Sequence, residues 1–204
     1  MLVPSRLRFV ILVGVGGTGK TTLGTRIASW FGNGHFVNTE AIKSKHGEVV
    51  GMAAAGPTRD AVFIEINEEC FRVLKIGKDV VIDAPQILEV PQPDFVTKLE
   101  RELARRDIAA EIVIIHVRAS LDDVKRNLRK RNRDRDKDKL SRWDEFVRTE
   151  YEAFHVPHRH LEIWFPEHTL PEALPIIMEY LDMTPEERRP HQVIGTPPAL
   201  SLAQ

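Results

Sequence analysis

The sequence predicts an α/β fold in which a five-stranded parallel sheet is covered by helices on both faces. Patterns typical of strands and helices alternate through most of the 204 residues, as they do in repeated βα units. The strand patterns are short, continuous apolar runs, which is typical of strands buried in a parallel sheet. A glycine-rich loop joins the first strand to the first helix. Together these observations predict a three-layer sandwich built around one sheet.

The elements follow in order along the chain. Residues 9–13 are the first predicted strand, and apolar residues at helical spacing predict a helix over 22–31. Further strands are predicted at 35–38, 79–83, 111–117 and 161–165. Further helices are predicted at 59–76, 94–106, 121–131, 140–154 and 170–181. Residues 44–58 are rich in Gly and Ala, so they are expected to be irregular.

Length and composition indicate one domain, predicted at residues 1–183. Residues 184–204 contain several prolines and no periodic apolar pattern, so they are expected to form a disordered tail. The net charge of -1 provides no overall basic field. No apolar run reaches the ~20 residues that span a bilayer, and the first apolar run is too short for a signal peptide. A cytoplasmic protein is expected, and its single cysteine, Cys70, is expected to be a packing residue.

The glycine-rich loop at residues 14–21 completes the pattern G-x-x-x-x-G-K-[ST]. Its position between a strand and a helix is the context in which this pattern binds phosphate. Backbone N–H groups converge on phosphate oxygens there, and the helix N-terminus adds partial positive charge. Lys20 can reach the β- and γ-phosphates of ATP, while the Thr21 hydroxyl can ligate Mg²⁺. The predicted nucleotide-binding residues are Gly14, Val15, Gly16, Gly17, Thr18, Gly19, Lys20, Thr21 and Thr22.

The same loop also contains G-x-G-x-x-G, the signature of a dinucleotide-binding fold. Glu40 lies about 20 residues further on, where such a fold places its ribose-binding acid. The Lys-Thr pair that follows the third glycine is not needed by a pyrophosphate turn, but a triphosphate with Mg²⁺ requires it. The loop therefore favours a P-loop NTPase fold over a dinucleotide fold.

Two acids follow predicted strands and are candidates for the chemistry. Asp83 ends an apolar strand, from which a carboxylate can hold Mg²⁺ or act in catalysis; the alternative is a cap before Pro85. Glu40 ends the second strand, a position from which it could accept a proton from a substrate hydroxyl as general base. The alternative for Glu40 is a surface residue that caps the next turn. Which of the two acids would be the general base stays open.

The segment 125–139 carries nine basic residues and three acidic ones. On one helix, Arg126, Arg129 and Arg133 would share a face, with Arg131 and Arg135 on another. Guanidinium groups suit phosphate oxygens and can neutralise charge that develops during transfer. The segment therefore predicts an arginine-rich lid in which Arg126, Arg129, Arg131 and Arg133 close over the phosphates. A solvated charged helix and a nucleic-acid-binding patch are the alternatives.

Other polar residues are assigned more loosely. The irregular segment at 44–58, with His46 and the nearby Arg59, is the predicted acceptor site, because loops on a rigid scaffold carry specificity. The local group His155, His158 and His160, with His168 beyond, has no cysteine pair and is interrupted by a proline. These histidines are therefore expected to be structural or surface residues rather than metal ligands.

The chain resembles small P-loop kinases of the group that contains polynucleotide kinases, zeta-toxin-like proteins and many bacteriophage kinases. The resemblance extends from about Arg8 to Leu181 and rests on the glycine loop, on Asn-Thr-Glu-Ala-Ile-Lys at 38–43, on Val-Val-Ile-Asp at 80–83 and on the lid. Polynucleotide-kinase-like members usually have Ser-Thr-Asp-x-x-Arg after the second strand. In that motif the Asp is the general base, and the Arg contacts the substrate or the transferring phosphate. Here Glu40 and Lys43 hold those two positions.

The resemblance implies an ATP- and Mg²⁺-dependent kinase that phosphorylates a hydroxyl of a nucleoside, nucleotide or nucleic acid. Phage kinases that phosphorylate 5-hydroxymethyluracil within DNA are similar, and such an enzyme would act in the host cytoplasm. An acceptor-independent NTPase that works as a nucleotide-dependent switch is one alternative, and a sugar-nucleotide kinase is another. No membrane association or protein partner is predicted.

Overall fold

In the computed structural model of the protein, residues 6–37, 39–46, 57–83, 89–165 and 170–195 are described. Their centre is a parallel sheet of six strands in the order β2-β3-β1-β4-β5-β6. The strands are β1 (Leu7–Val13), β2 (His35–Val37), β3 (Val80–Asp83), β4 (Ala110–Ala119), β5 (His160–Phe165) and β6 (His191–Ile194). The order places β1 at the centre, so the loop that follows it lies in the middle of the sheet edge.

Helices connect the strands and cover both faces of the sheet. They are α1 (Lys20–Trp30), α2 (Thr39–Lys45), α3 (Pro57–Lys75), α4 (Phe95–Arg105), α5 (Leu121–Arg131), α6 (Asp134–Ser141), α7 (Trp143–Phe146) and α8 (Leu170–Asp182). A π-helical segment, Val147–Glu152, continues from α7. None of the helices in the described part of the chain is long and apolar enough to cross a membrane.

Alternate side chains of the strands build two cores, one on each face. Phe9 and Ile11 of β1 pack on one face with apolar residues of α3 and α4. Val10 and Leu12 pack on the other face with residues of α1 and α8. Helix α1 lies so close to the sheet that a Cβ atom added at Gly24 would be 2.6 Å from the Phe36 ring of β2. The predicted α/β fold with helices on both faces is therefore confirmed.

The number of strands differs from the prediction, because the sheet has six rather than five. The additional strand β6 lies in the segment that the sequence assigned to a disordered tail. Its four residues contain one buried side chain, Ile194, so they present no apolar run. The segment before β6 is held by buried Arg188, which donates to the carbonyl oxygens of Tyr180 and Leu181 and pairs with Glu111. The end of the predicted tail, residues 196–204, lies outside the described residues.

Two other segments differ locally from the prediction. Residues that follow β2 form helix α2, which begins at Thr39, so Glu40 lies in the first turn of a helix rather than at the end of a strand. The single helix predicted at 140–154 is divided into the end of α6, then α7 and the π-helical segment. The break occurs at Arg142, whose backbone has φ -114 and ψ 46 and is not helical.

Candidate active site

The glycine loop lies directly between β1 and α1, as the sequence predicted. Gly14 has φ 134, which favours glycine, and a Cβ atom there would be 2.3 Å from the carbonyl oxygen of Val117 in β4. No other residue fits this position, because only glycine allows the loop to lie this close to β4. Asn127 of α5 holds the loop from the other side by donating to the carbonyl oxygen of Gly17 at 2.8 Å.

Lys20 is the first residue of α1, and its buried side chain turns back into the loop. Its Nζ donates to the carbonyl oxygen of Val15 at 2.8 Å, and the Thr18 hydroxyl donates to the same oxygen at 3.1 Å. Burial lowers the pKa of Lys20, the negative charge of Asp83 raises it, and three nearby cations lower it further. Those cations are Arg131, Lys43 and Lys139. A site that gathers this much positive charge around one lysine is suited to a polyanionic ligand.

The structure brings together the two residues that were predicted to organise Mg²⁺. The Thr21 hydroxyl donates to the Asp83 carboxylate, whose other oxygen is 3.9 Å from Lys20 Nζ. The Asp83 backbone carbonyl accepts a hydrogen bond from the Thr39 hydroxyl at 3.0 Å, which ties β3 to the start of α2. A hydroxyl and a carboxylate are the oxygen ligands that Mg²⁺ prefers, so the residues present fit that ion.

Glu40 is bound by three cations. Its carboxylate is 3.2 Å from Lys43 Nζ, 3.0 Å from Arg133 Nη1 and 2.7 Å from Arg135 Nη2. Burial alone would raise the pKa of Glu40, but the charge of Lys43 and the hydrogen bond and charge of Arg135 outweigh it. They lower the pKa to about 2. In this arrangement the carboxylate is fully ionised at neutral pH and anchors the cations around it.

The arginine-rich segment is not one continuous helix. Helix α5 ends at Asn132, which has φ 51, and Arg133 is extended before α6 begins. The faces predicted for a single helix are therefore wrong beyond Arg131, because the chain turns there and sends Arg133 and Arg135 toward Glu40.

The four arginines predicted to close over the phosphates fall into two pairs. Arg131 lies beside the loop, because its Nη2 atom would be 3.4 Å from a Cβ added at Gly16. Arg133 pairs with Glu40. Arg126 instead pairs with Asp123 of its own helix and is 67% exposed. Arg129 is exposed on the same helix. The second pair therefore points away from the glycine loop.

The predicted acceptor residues are only partly described. His46, after the end of α2, forms a 2.6 Å contact with Glu65 of α3, and Lys45 pairs with the same carboxylate at 2.9 Å. The side chain of Arg59 and residues 47–56 lie outside the described residues. The acceptor site at 44–58 therefore stays a prediction.

Sequence reasoning missed part of the cationic group and the surroundings of one histidine. Lys139 and Arg135 were counted in the basic segment, but neither was given a role. Lys139 pairs with Glu150. His155 is exposed, but His160 is buried beside His116 and Glu162. His168 lies outside the described residues. No local pattern links all three buried residues, because His116 comes from β4 and lies more than 40 residues before His160 and Glu162 of β5.

A parallel sheet, a phosphate-binding glycine loop after its central strand and a buried lysine at the start of the next helix define a P-loop protein. The chain belongs to the AAA domain family, which it matches over residues 9–153. The comparison with curated proteins yields no match.

Solved structures show that the fold is that of P-loop kinases. The chain is similar to the Mycobacterium tuberculosis APS kinase CysC in complex with AMPPNP and APS, with a TM-score of 0.60 and 16% identity over 88% of this chain and 100% of that one. It is also similar to an unliganded sugar kinase from Janibacter, with a TM-score of 0.60 and 17% identity over 88% of this chain and 97% of that one. At this level of identity the likeness concerns the fold.

Proposed function

We propose that this protein is an ATP-dependent kinase that transfers the γ-phosphate to a hydroxyl of a nucleoside, nucleotide or nucleic acid. The observation that carries the proposal is the group of cations around the glycine loop. Lys43, Arg131 and Lys139 all lie near enough to affect the pKa of Lys20, beside the Thr21–Asp83 pair. In phosphoryl transfer, catalysis is almost entirely positioning and electrostatic stabilisation, and this group supplies both.

The roles of the loop residues follow from their positions. Lys20 and the loop N–H groups would bind the β- and γ-phosphates, with Lys20 exchanging the Val15 carbonyl for a phosphate oxygen. Thr21 and Asp83 would hold Mg²⁺, which when bound neutralises phosphate charge. Arg131 would reach the phosphates from the end of α5, because its guanidinium already lies beside Gly16. The similar APS kinase structure, which was solved in complex with AMPPNP, supports ATP as the donor.

Glu40 would be the general base, but only once its cations have moved to the phosphates. A carboxylate with a pKa of about 2 is a weak base, because the ideal pKa of a catalytic base lies near the operating pH. Bound phosphate would compete for Arg133 and Arg135, and release of these arginines would raise the pKa of Glu40. Asp83 is the alternative base. The variants Glu40→Gln and Asp83→Asn distinguish the two residues. If Asp83 holds the metal and Glu40 is the base, only Asp83→Asn should require a higher Mg²⁺ concentration for activity.

The exposed arginines favour a polyanionic acceptor. Arg126 and Arg129 lie on the outer surface of α5, beside the site but away from the glycine loop. Such a basic surface can contact nucleic-acid phosphates next to the reacting hydroxyl. The candidate acceptors are therefore 5-hydroxymethyluracil in phage DNA and the 5′-hydroxyl end of a polynucleotide. Lys43, His46 and Arg59 are the residues proposed to contact the acceptor.

The test is transfer of labelled γ-phosphate from ATP to a panel of acceptors. The panel contains nucleosides, nucleoside monophosphates, 5′-hydroxyl oligonucleotides, DNA with 5-hydroxymethyluracil and a sugar nucleotide, with a reaction that lacks acceptor as control. We expect label on a nucleoside, nucleotide or nucleic-acid hydroxyl, and none with Lys20→Ala. Label on the sugar nucleotide alone would contradict the acceptor class. Phosphate released only to water at a rate independent of every acceptor would contradict the kinase and favour a nucleotide-dependent switch.

A further inference from the structure

A second polar group lies in the sheet, apart from the Thr21–Asp83 pair. His116 of β4 and His160 and Glu162 of β5 are all buried, and one potential ligand atom from each lies within 4.8 Å of the others. Among the residues that the structure describes, this is the one group of three such side chains so arranged. His116 is the register partner of Glu162, and His160 is two residues before it. The three side chains therefore share one face of the sheet.

The edge strand β6 adds a fourth residue to this group. His191 is the register partner of His160, and the centroids of the two imidazole rings are 4.6 Å apart. Its Nε2 is 3.8 Å from Glu162 Oε2, and its side chain is 51% exposed. His116 Nδ1 approaches the same carboxylate oxygen at 3.3 Å. Two imidazoles thus approach one oxygen of Glu162, and a ring nitrogen of His160 lies within 4.8 Å of a carboxylate oxygen of the same residue.

We propose that these four residues, His116, His160, Glu162 and His191, form a zinc site that fastens β6 to the sheet. Three imidazole nitrogens and a carboxylate oxygen are a ligand set that Zn²⁺ accepts. Mg²⁺ prefers a set made of oxygens alone. A tetrahedral zinc with ligands at about 2.0–2.2 Å holds its ligand atoms about 3.3–3.6 Å apart. The His116–Glu162 separation already has this value, and the other ligands need small side-chain rotations.

The groups around the four residues orient them as metal ligands are usually oriented. Ligating histidines generally donate their second ring N–H to a carbonyl or carboxylate. His160 Nδ1 donates to the carbonyl oxygen of His158 at 2.7 Å; a carbonyl can only accept, so this bond leaves the Nε2 lone pair available. Trp164 Nε1 donates to Glu162 Oε1 at 2.7 Å, which turns the other carboxylate oxygen toward the histidines.

An aromatic ring and a cation also contact this group. The Phe154 ring packs edge-on against His116 with centroids 5.1 Å apart, and it shields that side of the group from water. Arg118 Nη1 is 3.7 Å from Glu162 Oε2. The guanidinium carbon of Arg118 lies over the Trp164 ring, 4.2 Å from its centroid. The stack holds the guanidinium beyond ordinary hydrogen-bond distance of this oxygen. A closed site of four protein ligands is typical of structural rather than catalytic zinc.

The test is zinc retention by the full chain. The protein is treated with a chelator, given excess ZnCl₂ without nucleotide or Mg²⁺, separated from free metal and analysed for zinc. We expect one zinc per chain in the wild type. With Co²⁺ as a probe, we expect the visible absorption of a four- or five-coordinate site.

Variants assign the bound metal to a site. His191→Gln is the main variant, because this histidine is half exposed and the fold does not depend on burying it. Removal of an outer-shell partner of a metal ligand typically lowers metal affinity by roughly 10–100-fold. We expect His191→Gln, which removes a ligand, to lower zinc affinity at least as much, and we expect His160→Gln to lower it further. His155→Gln, in an exposed histidine of the same segment, and Asp83→Asn, in the nucleotide site, should retain zinc. A wild type without zinc, equal retention by His191→Gln, or loss in Asp83→Asn would each overturn the proposal.

Discussion

At the scale of single residues, Glu40 shows how one carboxylate can organise a cationic site. It binds Lys43 from its own helix and Arg133 and Arg135 from the segment beyond α5. The contacts connect α2 with the arginine-rich segment, although about 90 residues separate them in the chain. The sequence indicated that Glu40 belongs near the phosphate site. It could not indicate these partners, because their approach depends on the turn at Asn132.

The depressed pKa of Glu40 predicts an acid-sensitive contribution to stability. The ionised carboxylate stabilises the fold fully above the ordinary pKa of 4.5, and this stabilisation is lost as pH falls toward the folded value of about 2. Thermal unfolding of wild type and Glu40→Gln should therefore differ by a constant amount between pH 7 and about pH 4.5. We expect about 1 kcal/mol or less, because the pairs are partly exposed.

Below pH 4.5 the difference between the two proteins should shrink, because the wild type then loses what the variant already lacks. Glu179→Gln, in an exposed carboxylate of α8, is the matched control and should follow the wild type. A difference that stays constant down to pH 3, or that grows, would contradict the assignment.

At the scale of elements, the arginine-rich segment is divided into an inner and an outer surface. Helix α5 is capped at its start by Ser120, whose side chain accepts a hydrogen bond from the Asp123 N–H. At its end it is capped by Asn132, which has a left-handed conformation. The composition of the segment predicted a lid, but the end of the helix decides which arginines face the site. The helix predicted at 121–131 ends where α5 ends, but the left-handed conformation of Asn132, which turns the chain toward Glu40, was not predicted, because no glycine or proline marks it. Asparagine adopts the left-handed conformation more readily than most residues, and it is the signal that could have indicated the turn.

The division predicts opposite outcomes for one substitution at two positions of α5. Arg131→Lys should lower kcat by about ten- to a hundredfold, since a hydrogen bond to a charged group contributes ~1.5–3 kcal/mol and lysine loses the planar fork. It should keep the fold, because a cation remains beside buried Asp136. Arg129→Lys should keep kcat within about twofold of wild type, because Arg129 faces away from the glycine loop and lysine keeps the charge that attracts acceptor phosphates.

Steady-state phosphotransfer with the acceptor that the panel identifies measures both variants, and thermal unfolding checks that each is folded. Equal activity of Arg131→Lys and Arg129→Lys would remove Arg131 from the catalytic group. A loss of kcat with Arg129→Lys alone would show that the outer surface, rather than Arg131, contacts the transferring phosphate.

At the scale of the whole molecule, the sheet order explains why sequence reasoning found the central strands and missed the edge strand β6. Strands β1, β3 and β4 are continuous apolar runs because helices cover both faces, and all three were predicted. Strand β6 is paired on one side only, so His191–Ile194 needs little apolar character. The glycine loop was predicted because its pattern is local. The group of His116, Glu162 and His191 was not, because register between strands brings those residues together.

Nucleotide binding at the centre of the sheet should stabilise the whole fold. A ligand that binds only the folded state at 100 times its Kd adds about 2.7 kcal/mol, and a domain of this size gains roughly 2–4 °C per kcal/mol. We therefore expect AMPPNP with Mg²⁺ to raise Tm by about 5–10 °C. Lys20→Met should show no such rise. Lys78→Met should match the wild type, because Lys78 is exposed and precedes β3, at the end of the strands opposite the glycine loop. An identical rise in Lys20→Met would place the nucleotide elsewhere.

The close approach of α1 to β2 has a consequence for engineering this protein. A glycine inside a helix is a common target for stabilisation by alanine, because alanine favours helix by roughly 0.5–1 kcal/mol. At Gly24 the added methyl group would meet the Phe36 ring and a methyl carbon of Leu12 at less than 3 Å. Either these two side-chain ends must rotate away, or the helix must move outward and take its first residue, Lys20, with it. An apparently harmless thermostabilising change at this position would therefore disturb the packing of α1 on the sheet or the phosphate-binding loop.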